Sequence, residues 1–78
     1  MRVILNVFLK DGVLDPQGKA VEKALHALNF KQVQEVKVAK QIQLTLSEED
    51  RDRAQIAVQK MCEELLVNKV IEDFEILF

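Results

Sequence analysis

Residues 2–10 alternate Val3, Leu5, Val7 and Leu9 with Arg2, Ile4, Asn6, Phe8 and Lys10, which is the two-residue period of a β-strand. Asp11-Gly12 ends the run. From Pro16 to about Leu28, Val21, Ala24, Leu25 and Leu28 recur at helical spacing, flanked by Ala20 and Ala27, and Asn29 is a suitable stop. Asp15 stands at the N-cap, where its side chain can accept from free N–H groups of the first turn. Pro16 takes the first helical position, where a missing N–H costs nothing. Gly18 is the odd residue, because glycine inside a helix costs about 1 kcal/mol against alanine. Either a neighbouring group approaches the backbone there, or the turn tolerates the loss.

Between Val36 and Leu46 the even positions read Val, Val, Lys, Ile, Leu, Leu, while the odd positions from Glu35 to Thr45 are polar or small. One continuous strand of that length is less common than a hairpin. A hairpin is therefore predicted, turning around Ala39-Lys40-Gln41, although no Asn-Gly type signal marks the turn. Ser47-Glu48-Glu49-Asp50 has the form of a capping box. Ala54, Ala57, Val58, Met61 and Leu65 then line one face of a second helix to about Val67, and an alternating run closes the chain from Val70 to Phe78.

The order is β-α-β-β-α-β in one domain spanning residues 1–78. It predicts an α+β fold of the ferredoxin-like kind, a four-stranded antiparallel sheet with both helices on one face. With the usual strand order 4-1-3-2, strands 1 and 4 are neighbours. The open face is then polar over the hairpin (Glu35, Lys37, Gln41, Gln43, Thr45) and apolar at Ile4 and Phe8. Strand 4 adds Ile71 and Leu77 in one register, or Phe74, Ile76 and Phe78 in the other. Contiguous apolar surface on a small domain points to a partner. Ile4, Phe8, Ile71, Phe74, Ile76 and Leu77 are accordingly the candidate oligomer interface.

Size reinforces that expectation. A chain of 78 residues buries only a thin core, and small domains commonly rely on disulfides, metals or oligomerisation. One cysteine cannot form an internal disulfide and no metal-ligand spacing exists, which leaves oligomerisation, as a homodimer or a dimer of dimers. Eleven basic against thirteen acidic residues give a formal charge of −2, the wrong sign for a general nucleic-acid surface. The opening run is too short and too polar for a signal peptide or a membrane span. A cytoplasmic protein is expected, and the free Cys62 fits a reducing compartment.

The reactive side chains are few. His26 falls opposite Val21 and Leu25, one turn after Glu22, and reads as a solvated helix residue. Cys62 sits at the rim of an apolar stripe beside Glu63, with no base near it in sequence, and reads as a packing thiol. Ser47 reads as a helix cap, and Glu48, Glu49, Asp50 and Asp52 as a charged first turn. Glu72 and Asp73 are adjacent strand residues and point to opposite faces. No phosphate loop, zinc spacing or dinucleotide fingerprint is present. No catalytic, cofactor-binding or metal residue is assigned.

The stretch Leu14-Asp15-Pro16-Gln17-Gly18 resembles the corresponding segment of the PurS family, the small subunit of phosphoribosylformylglycinamidine synthase. The resemblance continues through Ala20–Leu28, Val36-Lys37-Val38-Ala39-Lys40, Asp50-Arg51-Asp52, Met61-Cys62-Glu63-Glu64-Leu65-Leu66 and Val70-Ile71-Glu72-Asp73-Phe74. Ala39 stands where the family often has glycine, and Lys69 where it often has proline. The resemblance implies an essential but non-catalytic subunit of a glutamine-dependent, ATP-hydrolysing C–N ligase. Such a complex makes formylglycinamidine ribonucleotide from formylglycinamide ribonucleotide, ATP and glutamine. The implied partners are a large synthetase subunit and a glutaminase subunit, which use the ATP, magnesium and glutamine; this chain holds no cofactor. Asp15, Pro16, Gln17, Gly18 and Arg51 are the candidate partner contacts. The rival reading is an ACT-like regulatory module binding a small molecule near Asp11-Gly12. RNA binding through the sheet is disfavoured by the acidic balance and by polar hairpin positions where stacking aromatics belong.

Overall fold

Val3, Leu5 and Val7 are shielded almost completely from solvent, which marks β1 (Arg2–Leu9) as the centre of the fold. The structure is a computed structural model and describes Met1 to Phe78. After β1 come α1 (Pro16–Ala27), β2 (Lys40–Thr45), α2 (Arg51–Met61), a π-helical turn (Cys62–Leu66) and β3 (Glu72–Leu77). The strands form one antiparallel sheet in the order β2-β1-β3. Leu5 lies opposite Ile42 on one side and Ile76 on the other, and Val7 lies opposite Phe74. One face of the sheet is therefore apolar. Ala54, Val58 and Cys62, each four residues apart and fully buried, lay α2 across it, and Val67 closes the end. A fully buried valine or leucine such as Val3, Leu5 or Val58 contributes about 1.5–3 kcal/mol by leaving water.

Three features differ from the expectation of four strands covered by two helices. The first is the absent hairpin. Residues 33–39 are extended but belong to no strand, and residues 34–39 make no main-chain hydrogen bond to the sheet. The only positive φ angles in the chain are at Gly12 and Asn29. Nothing at Ala39-Lys40-Gln41 favours a tight reversal, and no hairpin forms there: the chain enters β2 at Lys40, and burial alternates residue by residue only from Gln41 onward.

The second difference concerns α1. None of its side chains joins the core or packs against it, and Gly18 is its only buried residue. The molecule is long, 49 × 24 × 14 Å with a radius of gyration of 16.1 Å, where a compact chain of this length would have about 12 Å. The end of β1 and the start of β2 meet at one end of the sheet, as Val7 opposite Lys40 shows. From that end α1 and the extended segment project together as an arm.

The third difference is in helix phase. Leu65, expected in the stripe of α2, is 83% exposed. In the π-turn each residue advances through a smaller angle than in an α-helix. Leu66 rather than Leu65 therefore arrives at the direction set by Ala54, Val58 and Cys62, and Leu66 packs on the core. The start of α2 also lies three residues later than a Ser47 cap implies: Asp50 is the N-cap, its Oδ1 accepting from the Arg53 N–H at 3.1 Å.

Candidate functional site

The Leu14–Gly18 segment is the joint of the arm. Asp15 caps α1 with one carboxylate oxygen, accepting from Gly18 N–H at 2.8 Å, and with the other accepts from Val38 N–H at 2.8 Å. Gly18 is buried, and a Cβ there would collide with the Val36 carbonyl oxygen and crowd the Asp15 carboxylate. The glycine is thus required by the close approach of the 36–38 backbone. The donated bonds, from Val38 first and Gly18 second, hold the Asp15 carboxyl below its ordinary value. At the far end of α1, His26 Nε2 lies 2.7 Å from the Val33 carbonyl. A carbonyl only accepts, so Nε2 carries the proton and donates. His26 is therefore a strut between helix and returning chain rather than a solvated side chain. Asn29, with φ of 76°, supplies the reversal between them.

Between the end of β1, the loop at Asp11–Asp15 and residues 34–39 lies a cleft of about 800 Å³. Its cations are matched by carboxylates: Lys10 Nζ is 3.0 Å from Asp73, and Lys37 Nζ is 3.7 Å from Asp11 and 3.8 Å from Glu35. Phe8, Val13, Val36 and Val38 supply its apolar wall. The cleft holds neither a nucleophile nor a paired base. No three His, Cys, Asp or Glu side chains are grouped to hold a metal ion. Cys62 is buried, and burial first and Glu63 second push its thiol pKa up. No helix is long and apolar enough to cross a membrane.

The register of β3 sorts the expected interface residues. Phe74 and Ile76 turn inward and pack on the core. Ile4 lies opposite Leu77 on the open face, and Phe8 lies opposite Asp73. Phe8, Ile71 and Leu77 are exposed. The centre of this face is polar. Arg2 donates to Gln43, Gln43 to Gln41, Gln41 to Asn6 and Asn6 to Glu75, at 2.7–3.1 Å. The apolar groups thus form two separate ends instead of one patch, a division that Asn6, Gln41 and Gln43 signal in the sequence once the register is known. Of the expected partner contacts, Asp15 and Gly18 are committed to the joint, while Pro16 and Gln17 are exposed on its outside. Arg51 is also exposed, its guanidinium 5.1 Å from the Phe78 ring centroid. The second acceptor role of Asp15 and the strut at His26 have no signal in the sequence, because both depend on a segment more than a helical turn away.

The family model for PurS, phosphoribosylformylglycinamidine (FGAM) synthase, matches residues 2–78. The chain is 48% identical over 73 residues to the Bacillus subtilis phosphoribosylformylglycinamidine synthase subunit PurS, covering 94% of this chain and 86% of that protein. In backbone it is similar to the crystal structure of Methanocaldococcus jannaschii PurS, with a TM-score of 0.88, 38% identity and coverage of 97% and 92% of the two chains. A chain in the structure of PurLQS from Thermotoga maritima matches with a TM-score of 0.87, 33% identity and coverage of 97% and 93%. These likenesses favour the subunit reading over an ACT-like module. Matched from Arg2 to Phe78 in sequence and over 97% of its length in backbone, the chain belongs to the PurS family of phosphoribosylformylglycinamidine synthase.

Proposed function

We propose that the chain is the non-catalytic small subunit of a cytoplasmic phosphoribosylformylglycinamidine synthase, joining an ATP-dependent synthetase subunit to a glutaminase subunit. The complex converts formylglycinamide ribonucleotide, ATP and glutamine to formylglycinamidine ribonucleotide. ATP, magnesium and glutamine belong to the partner subunits in this reading. The observation that carries it is the end-to-end match to PurS subunits, one of them a chain of a PurLQS structure. The engagement of the reactive groups agrees with it: Cys62 is packed away, His26 is a strut and Asp15 is a clamp.

The chain acts as a homo-oligomer, a homodimer or a dimer of dimers. Ile4, Phe8, Ile71 and Leu77 on the open sheet face are its proposed contacts between copies. Pro16, Gln17 and Arg51 are proposed to touch the partner subunits. The test is reconstitution. Purified synthetase and glutaminase subunits should form the amidine from glutamine only when this chain is added, and the chain alone should turn over nothing. Full glutamine-dependent activity without the chain, or turnover by the chain alone, overturns the reading.

A further inference from the structure

β1 is paired on both sides, so β3 ends the sheet with no strand along its outer edge. The register fixes what that edge offers. Lys10 N–H donates to the Ile71 carbonyl at 2.8 Å, and hydrogen-bonded pairs alternate along an antiparallel ladder. Asp73, Glu75 and Leu77, opposite Phe8, Asn6 and Ile4, therefore turn their main-chain groups towards β1. Phe74 and Ile76 turn theirs outward, where no main-chain bond takes them up. Glu72 N–H, by contrast, is closed off by the Asn68 carbonyl at 2.7 Å. Phe74 and Ile76 thus each present a free N–H and C=O in the row that an added strand would use.

The side chains say what kind of strand fits. Phe74 and Ile76 point to the α2 side, yet both stay half-buried, because the buried residues of α2 centre on Val3, Leu5 and Val7 of β1. Apolar residues at alternate positions of an added strand would cover them. On the other face β3 carries Asp73 and Glu75, and it has no basic residue along its length. Lys10 pairs with Asp73 at 3.0 Å and Asn6 donates to Glu75 at 2.9 Å, both from the β1 side. Each contact uses one carboxylate oxygen and leaves the other without a donor. A second copy of β3 has only further carboxylates to bring to them, and like charges across a strand pair are destabilising.

We propose that the outer edge of β3 accepts an extended segment of a partner protein by strand addition. The segment bonds to the main chain of Phe74 and Ile76, and its apolar side chains on the α2 face alternate with lysine or arginine over Asp73 and Glu75. Main-chain pairing supplies the affinity in such a mode, and the alternating side chains supply the selectivity. The inference goes beyond the contacts proposed above, none of which uses the main chain of β3.

The test uses the purified full chain and a defined probe, so its failure is separate from that of reconstitution. A short peptide alternating valine and lysine is titrated into the isotope-labelled protein, with a peptide alternating valine and glutamate as comparison, and amide exchange is followed by NMR. The Phe74 and Ile76 amides, open in the free chain, should slow several-fold with the lysine peptide and change little with the glutamate peptide. The Asp73 and Leu77 amides, already bonded to β1, should stay protected throughout and report on the fold. Glu75→Lys, at an exposed side chain, should shift the preference towards the glutamate peptide. Unchanged exchange at Phe74 and Ile76 under the lysine peptide overturns the proposal, as does equal slowing by both peptides. A preference that Glu75→Lys leaves untouched, with Asp73 and Leu77 still protected, also overturns it. Protection of Phe74 and Ile76 that rises with protein concentration before any peptide is added overturns it in favour of a second copy.

Discussion

The carbonyl oxygen of Val36 occupies the space that a side chain at Gly18 would need. This contact sets how closely α1 and the extended segment can lie. Gly18→Ala should therefore destabilise the arm in spite of alanine's better helix propensity. Overpacking costs about 1–3 kcal/mol and exceeds the roughly 1 kcal/mol that propensity returns. Faster amide exchange at Val38 in the variant is the expected readout; unchanged or slower exchange would show that the segment can move aside freely.

Asp15→Asn separates capping from clamping. Asparagine caps helices well, but its amide has one oxygen where Asp15 uses two, for Gly18 and Val38. The helix should persist by circular dichroism while the Val38 amide loses protection.

The same carboxylate makes the clamp depend on pH. Its folded pKa lies below the ordinary value because backbone N–H groups, Val38 first, bind the charged form. Its contribution is fully present above the unfolded value near 3.8 and is lost as pH falls through the folded value. The Val38 amide shift should titrate in acid in the native chain and stay flat in Asp15→Asn.

The π-turn leads to opposite outcomes for two leucines. Leu65→Ala, at a side chain 83% exposed, should change stability by no more than about 0.5 kcal/mol. Leu5→Ala, at the fully buried centre of the sheet, should cost about 2–5 kcal/mol. Urea denaturation midpoints compare the two directly, and equal midpoints would return Leu65 to the core.

Phe8 stands exposed on the open face opposite Asp73, among the proposed contacts between copies. Phe8→Glu should weaken association between copies while leaving the helical content intact. Sedimentation equilibrium decides this, and a Phe8→Glu protein that stays folded and fully oligomeric would place the contact elsewhere.

How far the sequence could be read depended on the range of each interaction. Val3, Leu5 and Val7 show their alternation within one strand, and that pattern alone places β1 in the core. Asp15-Pro16 marks the start of α1, and Asn29 its end, because caps act between residues a few positions apart. Leu65 lies outside the stripe its spacing predicts because a π-turn alters helix phase through packing at Cys62 and Leu66, which no local propensity records. The inward turn of Phe74 and Ile76 needed the pairing of β3 with β1, since that strand is apolar on much of both faces.

The sequence alone establishes β1, α1, α2 and the closing strand in that order, the capping of α1, the central place of β1 and the family, all of which rest on short-range patterns or on residues in a fixed order. It took the folded chain to show that no hairpin forms at Ala39, that Gly18 makes room for the Val36 carbonyl, and that α1 contributes no side chain to the core beneath α2. The physical reason is that local periodicity reports which residues seek burial, whereas the surface that buries them is chosen by contacts between segments far apart in the chain.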